Sequence, residues 1–522
     1  MERKWWTLIA VCIGIFMLLL DITVVNVALP DIQRALHASF ADLQWVVNAY
    51  ALTLAALLLT AGAIADLVGR RKVFAAGLVL FTLASLVCGV STSALMLNLA
   101  RAVQGVGGAI MFATSLALIA QAFQGRDRGV AFGVFGAVTG GAVAVGPLIG
   151  GALTSGIGWE WIFFVNVPIG ILAVIITVTQ LEESRDPAAT GVDWLGLITF
   201  SGGLFLLILA LVEGNDRGWG STRILAFLGG AGVLLVAFLL VERAQERPML
   251  DLELFRRPAF AGASIVAFAL SASMFSMFLY LTLYIQNVLG FGPLDAGLRF
   301  LPVTLLSFIV APIAGRLTVR VPVRAMLGTG LLLVGLGLLL MSGLDANSGW
   351  THLLVGSVIA GAGIGMINPP LASTAISVVP PARSGMASGI NSTFRQVGIA
   401  TGIAGLGAIF QHEISSRTLA GLARSGQEQA VIAGTHGGLA ATLASGTTSS
   451  LARTLGPAPR EALLHAFRAG FAGALNEILV IAAAVALVGA FFGFALVRGR
   501  DFVATRTEAP SPAPPAGEPA PA

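Results

Sequence analysis

The chain has 522 residues, 56% of them hydrophobic and only 11% charged, with a mean hydropathy of +0.89. A soluble domain covers itself with about 25% charged residues, so this composition excludes a water-soluble globular protein and leaves an exterior that faces lipid. The formal charge of +4 does not indicate a nucleic-acid partner, because Arg and Lys accumulate in the cytoplasmic loops of membrane proteins.

A membrane-spanning helix needs about 20 apolar residues. By that criterion the sequence predicts spans at 7–29, 43–64, 73–92, 95–122, 129–154, 161–180, 193–213 and 222–241. Six more are predicted at 259–286, 294–315, 324–343, 350–378, 385–410 and 472–497, which makes fourteen. The first run follows Arg3 and Lys4 like a signal peptide, but it is too long and lacks a small-residue cleavage site, so it is read as a retained span.

Loop charge orients the bundle. With the N-terminus in the cytoplasm, the even-numbered loops hold Arg70, Arg71 and Lys72, then Arg126 and Arg128, then Arg185, Arg243, Arg247, Arg256 and Arg257. The same side gains Arg316, Arg320, Arg324 and Arg383, whereas the short outer loops and adjoining helix ends hold only Arg34, Arg217, Arg223 and Arg299. The positive-inside rule therefore predicts both termini in the cytoplasm. Residues 411–470 are expected to form a long outer loop. Leu463, Ala466, Phe467, Gly470 and Phe471 recur in it at helical spacing, which suggests a segment lying on the membrane surface. The Pro/Ala-rich tail 506–522 is expected to be disordered.

The loop after span 2, Gly62 to Lys72, can be slid onto the loop after span 10, aligning Gly62 with Gly315 and Arg71 with Arg324. Repeated halves are a mark of secondary transporters, whose sites lie between the halves. The offset divides the chain into a six-helix bundle (1–185), two inserted spans (186–257) and a second six-helix bundle (258–505) that carries the outer loop.

Several motifs occur in order: Asp21 to Pro30, the Gly62–Lys72 loop, Arg101 to Gly107, Gly141 to Gly151, Trp161 to Pro168, and Arg395 to Gly398. Together they resemble the major facilitator superfamily, in particular its fourteen-helix drug/proton antiporter branch, over most of the chain. Glu160, Ala113 and Val319 depart from that pattern. The resemblance implies an all-α membrane protein with two six-helix bundles plus two inserted helices. It further implies a proton-coupled exporter of small hydrophobic molecules, cations included, in a bacterial cell membrane. Lipid, protons and substrate are the expected partners, with no cofactor and a functional monomer.

Asp21 falls about 22 Å of helical rise into span 1 and Arg101 at a similar depth in span 4, counting ~1.5 Å per residue. Intramembrane charge is functional by default. Desolvation favours a neutral carboxyl and a nearby cation favours a carboxylate, so the pair can be poised for proton exchange or for holding a cationic substrate. A purely structural ion pair is the competing reading. In the Gly62–Lys72 loop, Gly62, Asp66, Gly69, Arg70 and Arg71 form the expected conformational latch. Their bland role is orientation; Asp66 exceeds it because a carboxylate can neutralise the positive end of a helix, which the resemblance places near Ser384. Gly141, Gly146, Pro147, Gly150 and Gly151 predict a bent, closely packed span 5. In span 9, Ser273, Ser276, Tyr280, Tyr284 and Asn287 fall on one face, beside an apolar strip containing Phe278. With Arg395 they are the candidate substrate cavity, interhelical hydrogen bonding being the alternative.

Other classes fit poorly. Lys4 and Lys72, the only lysines, sit in no Gly-Lys-Ser/Thr nucleotide loop, and the five histidines show no metal-protease spacing. An enzyme is therefore not expected. An importer of the same fold and a non-transporting sensor remain as alternatives.

Overall fold

The computed structural model describes residues 2–498 except 124, 186–190, 246–247, 249, 319, 378–383, 435–451 and 453–454. Among the described residues every regular element is a helix. The long ones are α1 (Arg3–Leu36), α2 (Phe40–Val68), α3 (Arg70–Gly89), α4 (Ala94–Ala122), α5 (Gly125–Gly156) and α6 (Trp161–Gln180, with a turn at Val165). Next come α7 (Trp194–Arg217), α8 (Thr222–Ala244), α9 (Pro258–Val288) and α10 (Pro293–Leu317). The chain continues through α11 (Val323–Met341), α12 (Thr351–Ser377), α13 (Ser384–Ser425) and α14 (Pro457–Leu496). Among the described residues, thirteen helices are long and apolar enough to cross a membrane. The predicted fifth span, 129–154, falls within α5.

Local sequence sets the helix starts. Ser39 and Asp42 form a reciprocal capping box at α2, and Ser93, Asp193 and Ser221 each accept a backbone N–H at the starts of α4, α7 and α8.

Packing is by small residues. A Cβ on Gly105 would strike Thr53 and the Tyr50 carbonyl, and one on Gly107 would lie 2.7 Å from Phe81 N. The Arg101–Gly107 motif thus lets α4 touch both α2 and α3. On α5, Gly146 abuts Thr23, and a Cβ on Gly150 would lie 2.8 Å from Val24 O, so α5 rides closely on α1. Gly151 faces Pro293 O, and Gly297 faces Pro147 O, which makes the same segment a seam with α10. A Cβ on Gly141 would meet nothing within 4 Å among the described residues. A second seam joins α2 to α13, where Gln44 Nε2 donates to Ile403 O at 3.3 Å. Helix α7 packs on both partners of that seam, burying Leu204, Ile208 and Val212 against Ala51, Leu52, Ala400 and Ala404.

The segment 411–470 differs from the expected loop. Residues 411–425 continue α13 and 457–470 open α14, while 435–451 and 453–454 lie outside the described residues, as does the tail 506–522. Leu463, Ala466, Phe467, Gly470 and Phe471 are buried on α14, with Gly470 against Thr418 and Gly421 against Ala466. Their apolar stripe is satisfied by α13, so it needs no membrane surface. Arg417 ties the extension by donating to Glu413 and Glu477, each at 2.7 Å.

Candidate functional site

Asp21 and Arg101 meet in the interior of the first six helices. Both side chains are at most 1% exposed, and Arg101 Nη1 donates to Asp21 Oδ2 at 2.5 Å. Further donors complete the site: Gln104 Nε2 and Asn166 Nδ2 reach Asp21 Oδ1 at 2.9 and 3.1 Å. Arg101 also donates to Gln104 Oε1 (2.6 Å) and Val46 O (3.0 Å), and its guanidinium lies 4.2 Å from the Tyr50 ring centroid. Ser85 Oγ accepts from Gln104 and Asn166, both at 3.0 Å, and donates to Phe163 O. The close approach of α4 to α2 allows the Val46 contact, and the break at Val165 brings Asn166 inward.

The physical consequence is a buried ion pair in which both oxygens of the carboxylate accept hydrogen bonds. Removing one partner from such a pair costs about 3–5 kcal/mol, because the other charge stays buried. The Tyr50 hydroxyl and Asn166 Oδ1 have no hydrogen-bond partner among the described residues. Gln104, Ser85, Asn166 and Tyr50 were not singled out from the sequence as site residues, although two of them lie inside the motifs quoted.

A cavity lies beside this cluster, on the other face of α1. At about 100° per residue, Thr23 and Asn26 stand about 200° and about 140° round the helix from Asp21. They line the cavity with Val47 of α2 and Pro147 of α5. Phe275, Phe278 and Thr282 of α9 form the facing wall, continued by Phe300 and Thr304 of α10 and by Ile399 and Ile403 of α13. Asp21 and Arg101 are not among the lining residues.

The polar stripe of α9 lies elsewhere. Ser273 donates to Ala269 O (2.6 Å), Ser276 to Ile399 O (3.2 Å), Tyr280 to Ile403 O (2.5 Å) and Tyr284 to Ser348 O (3.0 Å). All four are buried and none lines the cavity, while Asn287 is exposed. Buried hydroxyls need acceptors, and backbone carbonyls supply them. Two π-helical turns, Ser271–Phe275 and Tyr284–Val288, widen the helical repeat and shift the register, which carries Asn287 off the face. Arg395 is not among the lining residues; its guanidinium is 5.9 Å from the Phe275 centroid.

At the end bearing the Gly62–Lys72 loop, Asp66 pairs with Arg70 at 2.9 Å. The start of α3 is capped from α6's end: Glu183 accepts the Arg71 and Lys72 N–H groups at 3.1 and 3.3 Å. Gly69, at φ +128°, leaves no room for a side chain, because a Cβ there would meet the Glu183 carboxylate at 2.6 Å. Glu183 therefore acts as the carboxylate at the start of α3. The helix start near Ser384, where Asp66 is expected to act, follows residues 378–383, which lie outside the described residues.

Comparison with known proteins places this architecture. The family model described as Major Facilitator Superfamily matches residues 11–403. Multidrug resistance protein Stp of Mycobacterium tuberculosis is 38% identical over 411 residues, 78% of this chain and 76% of that protein. The tetracenomycin C resistance and export protein of Streptomyces glaucescens is 34% identical over 413 residues, covering 79% and 77%. Puromycin resistance protein pur8 of Streptomyces alboniger is 37% identical over 412 residues, covering 78% and 82%. The fold matches a bacterial homologue of the human lysosomal transporter Spinster, in an inward-facing and unoccupied conformation, with a TM-score of 0.61 at 20% identity over 96% of this chain and 99% of that one. The chain is a multi-pass membrane transporter and belongs to the major facilitator superfamily.

Proposed function

We propose that the chain exports small hydrophobic organic molecules across a bacterial cell membrane in exchange for protons, by alternating access of the cavity between two six-helix halves. The observation that carries this reading is the Asp21–Arg101 pair, a fully buried carboxylate held on the helix that also walls the cavity. The names of the relatives, which speak of resistance and export, support the outward direction. Loop charge supports cytoplasmic termini, and a monomer holds the complete cavity.

Protonating Asp21 cancels its charge and weakens its hold on Arg101. The added O–H needs an acceptor, and the unpartnered Asn166 Oδ1 provides one after an amide rotation. Loosening this cluster frees α1 to move against α4 and α6. Because Thr23 and Asn26 ride on α1, ligand occupancy and protonation bias the same element in opposite senses. The α5–α10 and α2–α13 seams are the surfaces across which the halves rock. The Gly62–Lys72 loop, with Asp66–Arg70 and the Glu183 cap, latches one of the two states. Reconstituted full-length protein given an imposed pH gradient tests this. The gradient is expected to drive uphill movement of a fluorescent hydrophobic compound; movement indifferent to the gradient contradicts proton exchange.

A further inference from the structure

The two repeated loops differ in how their positive charges are answered. In the first, Asp66 pairs with Arg70 at 2.9 Å and Glu183 lies 3.8 Å from Arg71. In its counterpart, the turn from α10 to α11, Arg316, Arg320 and Arg324 are all exposed. No Asp or Glu occurs in the sequence from Arg316 to Leu344. Among the described residues no carboxylate pairs with any of the three. Like charges gathered at one rim repel, so an anion brought there is held by all of them.

A further arginine joins this rim from α14. A Cβ on Gly328 of α11 would lie 2.5 Å from the Phe494 ring, and one on Gly335 would lie 2.9 Å from Leu487. The two helices therefore run antiparallel in close contact. Arg324 lies four residues before Gly328, and Arg498 four residues after Phe494. Each stands about one turn, ~6 Å of rise, from the same contact and on the same side of it. Arg498 is exposed, and no acidic residue occurs from Ile478 to Arg498.

Below the arginines the paired helices present an apolar strip. Leu332 and Leu336 follow Gly328 by one and two turns, and Phe491 and Leu487 precede Phe494 likewise. These four side chains and Phe494 are 37–67% exposed, which on spanning helices means exposed to lipid. A small soluble anion would use only the rim. A phospholipid uses both parts, its phosphate meeting the guanidinium forks and an acyl chain lying along the strip.

We propose that Arg320, Arg324 and Arg498 bind the headgroup of an anionic phospholipid whose acyl chain lies along the α11–α14 face. The site is separate from the Asp21–Arg101 cluster and from the cavity, and it rests on neither proton exchange nor the direction of transport. Purified full-length protein in detergent is titrated with dioleoylphosphatidylglycerol, with dioleoylphosphatidylcholine and with glycerol phosphate, and bound ligand is counted by native mass spectrometry. The anionic lipid is expected to bind about tenfold tighter than the zwitterionic one. Arg324→Gln with Arg498→Gln is expected to remove that preference, and the two Lys substitutions to retain most of it. Arg460→Gln with Arg468→Gln, which removes equal charge from the opposite end of α14, is expected to leave it unchanged. Equal affinity for the two lipids, or an undiminished preference in folded Arg324→Gln/Arg498→Gln protein, would overturn the proposal. Glycerol phosphate binding as tightly as the anionic lipid would overturn it too, by assigning the arginines to a soluble anion.

Discussion

Asp21 and Thr23, two residues apart on α1, serve opposite surfaces: Asp21 accepts from Arg101 in the interior of the first six helices, and Thr23 lines the cavity walled by α1, α9 and α10. A single helix therefore touches both the titratable group and the ligand space. Coupling between them needs no direct contact of proton and substrate, only a displacement of α1 that each event biases. The predictions below follow from that arrangement.

The ion pair is predicted to be costly to break and cheap to replace as a unit. Arg101→Ala leaves a buried carboxylate unpaired and is expected to destabilise the protein by about 3–5 kcal/mol. Adding Asp21→Asn to it is expected to restore most of that loss. Thermal unfolding of the two single variants and the double variant measures the effect; additive losses would show that the two side chains act independently.

The glycines of α5 are predicted to be unequal. Gly150→Ala drives a Cβ into the α1 backbone at Val24 and is expected to cost about 1–3 kcal/mol and to impair transport. Gly136→Ala meets open space and is expected to be neutral or slightly stabilising, since Ala favours helix over Gly by about 1 kcal/mol. Equal unfolding temperatures for the two variants would contradict the close α1–α5 packing.

The loop at the end of α2 is predicted to govern rate and not affinity. Asp66→Asn loses its charge on Arg70, and Glu183→Gln weakens the cap of α3. Both are expected to lower the maximal transport rate several-fold while ligand affinity, read by equilibrium binding, is unchanged. Lost affinity at an unchanged maximal rate would place this loop in the binding site instead.

Asp21 and Arg101 could be paired from sequence because intramembrane charges are few and depth can be counted along each helix. Gln104, Ser85 and Asn166 could not, because uncharged polar residues are common in membrane helices and only the fold decides which converge. The α9 stripe shows the limit of periodicity. It marks Ser273, Ser276, Tyr280 and Tyr284 as needing partners, but backbone carbonyls and ligands satisfy a hydroxyl alike, and the π-helical turns that displace Asn287 leave no sequence mark. The 463–471 stripe was legible as a helix. Its partner was not, because the bilayer-length criterion cuts α13 at 410, whereas the helix runs to Ser425.

The central claim is that Asp21 carries the proton without touching the ligand, and one measurement on the Asp21→Asn variant in proteoliposomes tests it most directly. Transport of a bound fluorescent substrate is recorded under an imposed pH gradient and, separately, as substrate exchange with no gradient. The account predicts that the gradient-driven component disappears while exchange and binding affinity persist, with Asp21→Glu keeping part of both activities. Gradient-driven transport at the unsubstituted rate in the Asn variant, or loss of binding affinity along with it, would contradict the account.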